Sequence, residues 1–176
     1  ELQQVKKQRQ TQRKSRNRNG TPTFALVGYT NAGKSSVFNR LTKADVLAKD
    51  QLFATLDTTA RRLYLGPNAN VVLTDTVGFV RDLPHELVEA FAATLEETAE
   101  ADVLLHVVDR SHAEWSRQID DVNEVLNQIG AENIPCLLVL NKIDLLPADA
   151  ALPAGAVLNA QGGVVAMHIS VHNGEG

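Results

Sequence analysis

The sequence predicts an α/β domain of three layers, a mostly parallel six-stranded sheet flanked by helices. Three observations lead there. Apolar runs alternate with amphipathic segments along the chain, the pattern of repeated strand–helix units. Six of the runs are short and read as strands. The first strand leads through a glycine-rich loop straight into a helix-like stretch, so the loop sits at the carboxyl edge of the sheet, where such folds place their sites.

Taken in order, "TFALVG" from Thr23 reads as a buried strand and "KSSVFNRLT" from Lys34 as the helix behind the loop. "RRLYLG" and "NVVLTD" are two strands separated by the turn "GPNA". In "LPHELVEAFAATLEETAEA", Leu87, Phe91 and Leu95 fall four apart on one helical face, and Pro84 suits the first turn. "ADVLLHVVD" is the next strand. The helix "EWSRQIDDVNEVLNQIG" lines up Ile119, Val122, Leu126 and Ile129, with Gly130 as its stop and Trp115 as a packing residue. "PCLLVLNK" and "GVVAMHIS" complete the six strands. The stretch from Asp144 to Gly163, rich in Ala, Pro and Gly, reads as a helix-poor surface connection. The chain stops at "HNGEG", where a fold of this kind continues into another helix, so a closing helix is expected to be missing.

Length and composition fit one domain with a sizeable core, since 176 residues carry 44% hydrophobic side chains. No apolar run approaches the ~18 residues of a membrane span. Cys136 is the one cysteine, so an internal disulfide framework is excluded, which suits a reducing cytoplasm. It lies in "IPCLLVL" and is expected to be buried. The net charge of −4 conceals an asymmetry. Residues 1–20 hold seven Lys or Arg against Glu1, whereas the rest holds ten basic and twenty acidic side chains. Residues 1–20 therefore read as a basic linker or the end of a helical arm, and residues 21–176 as the domain proper. A basic arm on an acidic body suits a polyanion, although a solvated linker has the same composition.

The chemistry is concentrated in three motifs. "GYTNAGKS" comprises Gly28, Tyr29, Thr30, Asn31, Ala32, Gly33, Lys34 and Ser35 and matches the phosphate-loop pattern G-x-x-x-x-G-K-[ST], with Ser36 following. It lies between a strand and a helix, as the pattern requires. Its glycines let backbone N–H groups curl around phosphate, with Lys34 reaching the β- and γ-phosphates and Ser35 a Mg²⁺ ion. "DTVG" places Asp75 at a strand end, suited to hold Mg²⁺ through water, followed by Thr76, Val77 and Gly78, whose N–H is placed to sense a γ-phosphate. "NKID", which is Asn141, Lys142, Ile143 and Asp144, follows a later strand. A carboxylate there accepts from both the ring N–H and the amine of guanine, a pattern adenine lacks. The expected nucleotide is therefore GTP or GDP. Between the first two motifs lies a candidate switch, Phe53, Ala54, Thr55, Leu56 and Asp57; Thr55 is the preferred Mg²⁺ and γ-phosphate contact, with Thr58 and Thr59 as runners-up. Ser170 and Val171, just after the last strand, are candidates for the base rim. Ser35, Thr55 and Asp75 form the expected metal set, and Lys34, Thr55 and Gly78 the expected catalytic contacts.

From Thr21 to Gly176 the chain resembles the GTPase domain of HflX-type proteins, in the translation-factor-related class of P-loop GTPases. The specific pieces are "GYTNAGKS", "LFATLDTT", "DTVGF" followed by "LPHELVEAF", "TLEET" and "NKIDLL". The basic arm resembles the end of the helical segment that joins the family's N-terminal domain to its GTPase domain. Ser36–Val37 stands where Thr–Leu is usual, and Val171 where Ala is usual; backbone atoms make the expected contacts at both places. The resemblance implies a cytoplasmic GTPase that binds the large ribosomal subunit and its rRNA and splits stalled or idle ribosomes; a monomer is expected. It also implies the residue roles given above.

Two residues raise specific questions. Phe79 follows the switch Gly78, where many small GTPases carry a Gln that positions the attacking water. A phenyl ring has no hydrogen bond to give, so unaided turnover is expected to be slow, with a partner supplying the missing group. The other reading is that Phe79 only packs beneath the switch helix. Asn31 is the second: it is either a ligand for a K⁺ ion on the leaving phosphates or a loop-stabilising side chain. His106, within an apolar strand, is expected in the core, whereas His85 is expected to face water.

Overall fold

The computed structural model describes residues 20–43, 59–67, 69–79 and 92–176. The arm up to residue 19, the switch candidates Phe53 to Thr58, and Pro84, His85, Leu87 and Phe91 lie outside the described residues.

The described elements run β1 (Thr23–Val27), α1 (Lys34–Thr42), β2 (Thr59–Gly66), β3 (Ala69–Asp75), α2 (Ala92–Ala99), β4 (Val103–Asp109), α3 (Trp115–Gln128), β5 (Cys136–Asn141), β6 (Gly155–Leu158) and β7 (Val164–His168). Single 3₁₀ turns at Ile143–Leu145 and Ala148–Ala150 follow β5. The strands form one sheet in the order β2-β3-β1-β4-β5-β7-β6. Pairs β1–β3, β1–β4, β4–β5 and β5–β7 are parallel, and the two outer pairs β2–β3 and β6–β7 are antiparallel.

Among the described residues the sheet thus has seven strands where the sequence predicts six. The additional strand is β6, four residues of "GAVL" inside the Ala- and Pro-rich connection. Among the described residues it is an edge strand paired with β7, with a register shift between Val157 and Leu158. Alternation along β1 builds the layers, because successive side chains face opposite sides of a strand. Ala25 and Val27 join Val77, Leu95, Leu104, Val122 and Leu126 on the face covered by α2 and α3. Leu26 joins Ala32, Val37, Phe38, Leu73 and Val107 on the face covered by α1. Burying each of the Val, Leu and Phe side chains among these contributes about 2 kcal/mol.

The α3 helix is amphipathic as its spacing requires, with Val122 and Leu126 buried. Gly130 stops it from the left-handed region at φ 73°. Its N–H donates to Asn127 O, and that of Ala131 to Leu126 O. Trp115 opens the helix with the Arg110 guanidinium 4.4 Å over its ring. His106 is buried, as expected. Cys136 corrects the sequence reading, since it is exposed. It is the first residue of β5, after Pro135, and the apolar run reaches the covered part of the sheet only at Val139 and Leu140.

Candidate functional site

The carboxyl ends of β1, β3, β4, β5 and the turn after β7 converge on one rim. Its centre is the loop from Gly28 to Gly33, which the chain can form only with glycine at both ends. Gly28 has φ 147°, and a Cβ there would fall on the carbonyl oxygen of Val107. Gly33 has φ 101°, and a Cβ would fall on the side-chain amide of Asn141. Asn31, between them, is itself left-handed at φ 61°. Gly33 then opens α1: its carbonyl accepts the Val37 N–H at 2.9 Å. The N–H groups of the first helical turn are left for an anion.

Lys34, the first residue of α1, is buried, and its Nζ donates to Gly28 O at 3.1 Å and Tyr29 O at 3.0 Å. The ammonium is thereby folded back over the loop that a phosphate would fill. Burial pulls its pKa from the usual 10.5 down to about 8, with Asp75 opposing the shift. Next to it, Ser35 Oγ donates to Asp75 Oδ2 at 2.7 Å. Asp75, at the end of β3, is fully buried. A hydroxyl and a carboxylate in direct contact beside a phosphate loop are hard oxygen donors, a set that fits Mg²⁺.

From Asp75 the chain runs through Thr76, whose hydroxyl bonds Leu26 O, and buried Val77 to Gly78. Gly78 lies against the loop: a Cβ would come within 2.8 Å of Thr30 Cα and 3.1 Å of Lys34 Nζ. Phe79 is then zipped to the same loop. Its N–H donates to Gly28 O, and its carbonyl accepts the Thr30 N–H at 2.7 Å. The Phe79 ring is 1% exposed and packs in the core with Val77, Leu95, Val122 and partly buried Tyr29.

The second half of the rim comes from β5. The side-chain amide of Asn141 donates to Ala32 O at 3.1 Å, and its oxygen accepts the Val171 N–H at 3.2 Å. Lys142 is left-handed at φ 64°, and its Nζ donates to Asn31 O at 2.9 Å. Ile143 is buried, and Asp144 stands exposed in the 3₁₀ turn. Ser170 is fully buried, and its Oγ accepts the Asn173 N–H. Its N–H and carbonyl both bond the segment Gly174–Glu175, which closes a tight turn. Of the predicted residues, the contacts above join Gly28 to Ser35, Asp75, Gly78, Asn141, Lys142 and Val171 at one rim, with Ser170 next to Val171, whereas Val77 lies in the core. Phe53 to Asp57 lie outside the described residues.

Sequence reasoning overlooked Asp109, at the end of β4. Its Oδ2 pairs with Lys142 Nζ at 2.8 Å, and its Oδ1 accepts from Ser111 N and Oγ. Burial pushes this carboxyl up, but the Lys142 and Ser111 hydrogen bonds outweigh it and hold the pKa below the usual value. The signal available was an Asp at the carboxyl end of a central strand, where sites of this fold collect.

A strand–loop–helix cradle for phosphate, with a base-side turn hydrogen-bonded to it, puts the chain among the P-loop GTP-binding folds. Solved structures agree. The GTP-binding protein of Sulfolobus solfataricus in complex with GDP superposes with TM-score 0.63 at 26% identity, over 97% of this chain and 53% of that one. A point variant of Aquifex aeolicus Era bound to GDP and aluminium fluoride gives 0.65 at 26% identity, over 88% of this chain and 52% of that one. Sequence narrows the class further: residues 23–142 match the family described as 50S ribosome-binding GTPase, and the chain belongs to that family. The HflX-type resemblance is matched by GTPase HflX of Akkermansia muciniphila, 50% identical over the whole of this chain and 41% of its own length. GTPase HflX of Escherichia coli K12 is 56% identical over 82% of this chain and 34% of its own length. The chain therefore spans about two-fifths or less of the curated relatives it matches. Among the described residues, no helix is long and apolar enough to cross a membrane.

Proposed function

We propose that this chain binds GTP and GDP at the rim and hydrolyses GTP slowly in a Mg²⁺-dependent reaction, as the switch of a protein that acts on the large ribosomal subunit. The observation that carries the reading is the direct bonding of the base-side motif to the phosphate loop, Asn141 to Ala32 and Lys142 to Asn31. One ligand with a purine at one end and phosphates at the other spans both.

In this reading the backbone N–H groups of Gly28 to Ser35 hold the phosphates. Lys34 swings from its carbonyl partners onto the β- and γ-oxygens and offsets the charge developing there. Gly78 offers its N–H to the γ-phosphate. Asp144 accepts from guanine, Lys142 covers the ring with its stem, and Ser170 and Val171 border the base. Ser35 and Asp75 are the described residues that would hold Mg²⁺, with Thr55 as the switch contact; the ion would supply charge neutralisation at the phosphates. Phe79 faces the core and has no group to orient water. Unaided turnover is therefore at or below about 10⁻³ per second, the scale of unassisted GTPases, and a partner raises it.

The partner we propose is the large ribosomal subunit, and the action the splitting of stalled or idle ribosomes. The family's description supports a ribosome-binding GTPase, and the relatives' names support a GTPase. The splitting itself rests on the HflX resemblance, as does a cytoplasmic location, and we propose a monomer. The buried Phe79 also favours a second reading, in which GTP occupancy alone drives release and hydrolysis only resets the protein. The basic residues 1–20 are proposed to touch rRNA phosphates, and Asn31 to ligate K⁺. Titration with labelled GTP and ATP in Mg²⁺, then turnover with and without large subunits, tests the central proposal. Binding of neither nucleotide, a preference for ATP, or unaided turnover near the assisted rate would overturn it.

A further inference from the structure

The base-side motif has a support that the GTPase motifs themselves do not contain. We infer that Asp109 is a positioning residue for guanine-nucleotide binding: it holds Lys142 in the pose that covers the base and ties the base-side turn to the phosphate loop. This rests on the guanine-nucleotide reading of the rim.

Lys142 needs holding on two counts. Its backbone is left-handed at φ 64°, a conformation that is uncommon for a residue with a long side chain. Its stem has four rotatable bonds, which carry a large entropy in water. Two acceptors fix the ammonium, Asn31 O at 2.9 Å and Asp109 Oδ2 at 2.8 Å. The stem is thus stretched along the floor between the phosphate loop and β4.

Asp109 is itself pre-set. Ser111 occupies its Oδ1 with two donors, the backbone N–H at 3.0 Å and the hydroxyl at 2.6 Å, so that Oδ2 is aimed at Lys142. The next residue bolts the strand end down a second time, since Arg110 N–H donates to Asn141 O at 2.9 Å. The pair is mostly sheltered, with side chains 23% and 17% exposed, so the interaction is stronger than an open surface ion pair. The partners of Asp109 are Lys142 and Ser111, so it acts through Lys142.

The discriminating substitution is Asp109→Asn. The amide oxygen still accepts from Ser111, while the NH₂ that replaces Oδ2 turns a donor towards the ammonium. Dissociation of fluorescent GDP and GTP is followed by stopped flow, with thermal unfolding of each protein as the folding control. Asp109→Asn should speed dissociation about tenfold for both nucleotides, as expected when one member of a coupled pair is removed. In a Lys142→Met background, Asp109→Asn should add nothing further, and Asp109→Glu should restore part of the wild-type rate. An additive effect in the Lys142→Met background, or wild-type dissociation in folded Asp109→Asn, overturns the inference while leaving nucleotide binding intact. A wild-type chain that retains no guanine nucleotide overturns the underlying reading, and the inference with it.

Discussion

Asn141 and Ala32 are joined by a hydrogen bond of 3.1 Å from the Asn141 side-chain amide to the Ala32 carbonyl, so the base-side strand is built directly onto the phosphate loop. The same side chain receives the Val171 N–H, which makes one residue the junction of three loops. Residue 33 has to be Gly because the Asn141 amide occupies the place where a Cβ would be. Asn141→Ala leaves a buried carbonyl and an N–H without their partner, each costing about 1–3 kcal/mol. The variant should lose ~2–4 kcal/mol in urea unfolding and bind GDP at least tenfold more weakly. Wild-type stability and affinity together would show that the junction is incidental.

Phe79 gives the second prediction. Its ring is core and its backbone is stitched to Gly28 and Thr30, so a Gln there is not presented to a nucleotide. Phe79→Gln should lower stability by ~3 kcal/mol, as large losses of buried aromatic surface do, and should not raise single-turnover hydrolysis. Hydrolysis faster than wild type by tenfold or more would mean that position 79 can reach the water after all.

These two residues also show what could be read without coordinates. Strands β1 and β4 are apolar over most of their length because both faces are covered, and a run of that kind is plain in a sequence. The phosphate loop and the NKID turn are equally plain, since each needs fixed residue types at fixed spacing. Three things were not visible. Strand β6 is only four residues, made of "GAVL", and exists because β7 offers an open edge, which is a tertiary fact. Cys136 sits in an apolar run, but the sheet's covered region starts further along β5. Asp109 belongs to no motif: its role depends on β4 lying beside β5 with Asp109 in register with Asn141, a pairing that sequence spacing does not contain.

Asp144 is exposed, unlike its neighbour Ile143, so its replacement should separate recognition from stability. Asp144→Asn should leave the melting temperature within a degree or two, as exposed substitutions do. Guanine affinity should drop, and xanthine nucleotides should gain relative to it, because the amide offers a donor where xanthine presents an oxygen. An unaltered GDP-to-XDP affinity ratio would take Asp144 off the base.

His106 predicts a specific acid sensitivity. Burial, and next the nearby Lys34 charge, lower its pKa from the usual 6.5 to about 4 in the folded state. Between these values the unfolded chain takes up a proton that the folded chain refuses. Stability is therefore unaffected above pH 6.5 and falls as pH drops from 6.5 towards 4, by at most about 1.4 kcal/mol per pH unit. Carboxylates titrate nearby, so the quantity to measure is the difference from His106→Leu in urea unfolding at pH 7, 6 and 5. The wild type should lose more stability than the variant at each step down, and parallel curves would contradict a neutral buried His106.

Lys34 makes the opposite prediction on the alkaline side, in binding rather than in folding. In the nucleotide-free site its pKa is pulled down to about 8 by burial, so part of the population is neutral just above neutral pH. Phosphate oxygens favour the ammonium, so the bound complex holds this proton to higher pH than the open site does. Affinity is then level below pH 8 and falls as pH rises beyond it, by up to tenfold per unit while the free site is deprotonated and the complex is not. Titration of the base's own ring N–H is common to every variant, so the comparison is with Lys34→Met. That protein should bind GDP far more weakly and lack the extra loss above pH 8. Proton uptake on binding at pH 8.5, read as a buffer-dependent heat in calorimetry, should accompany wild-type binding and vanish in the variant. Equal pH slopes in the two proteins, or no proton uptake by wild type, would mean that the buried ammonium is not the group that meets the phosphates.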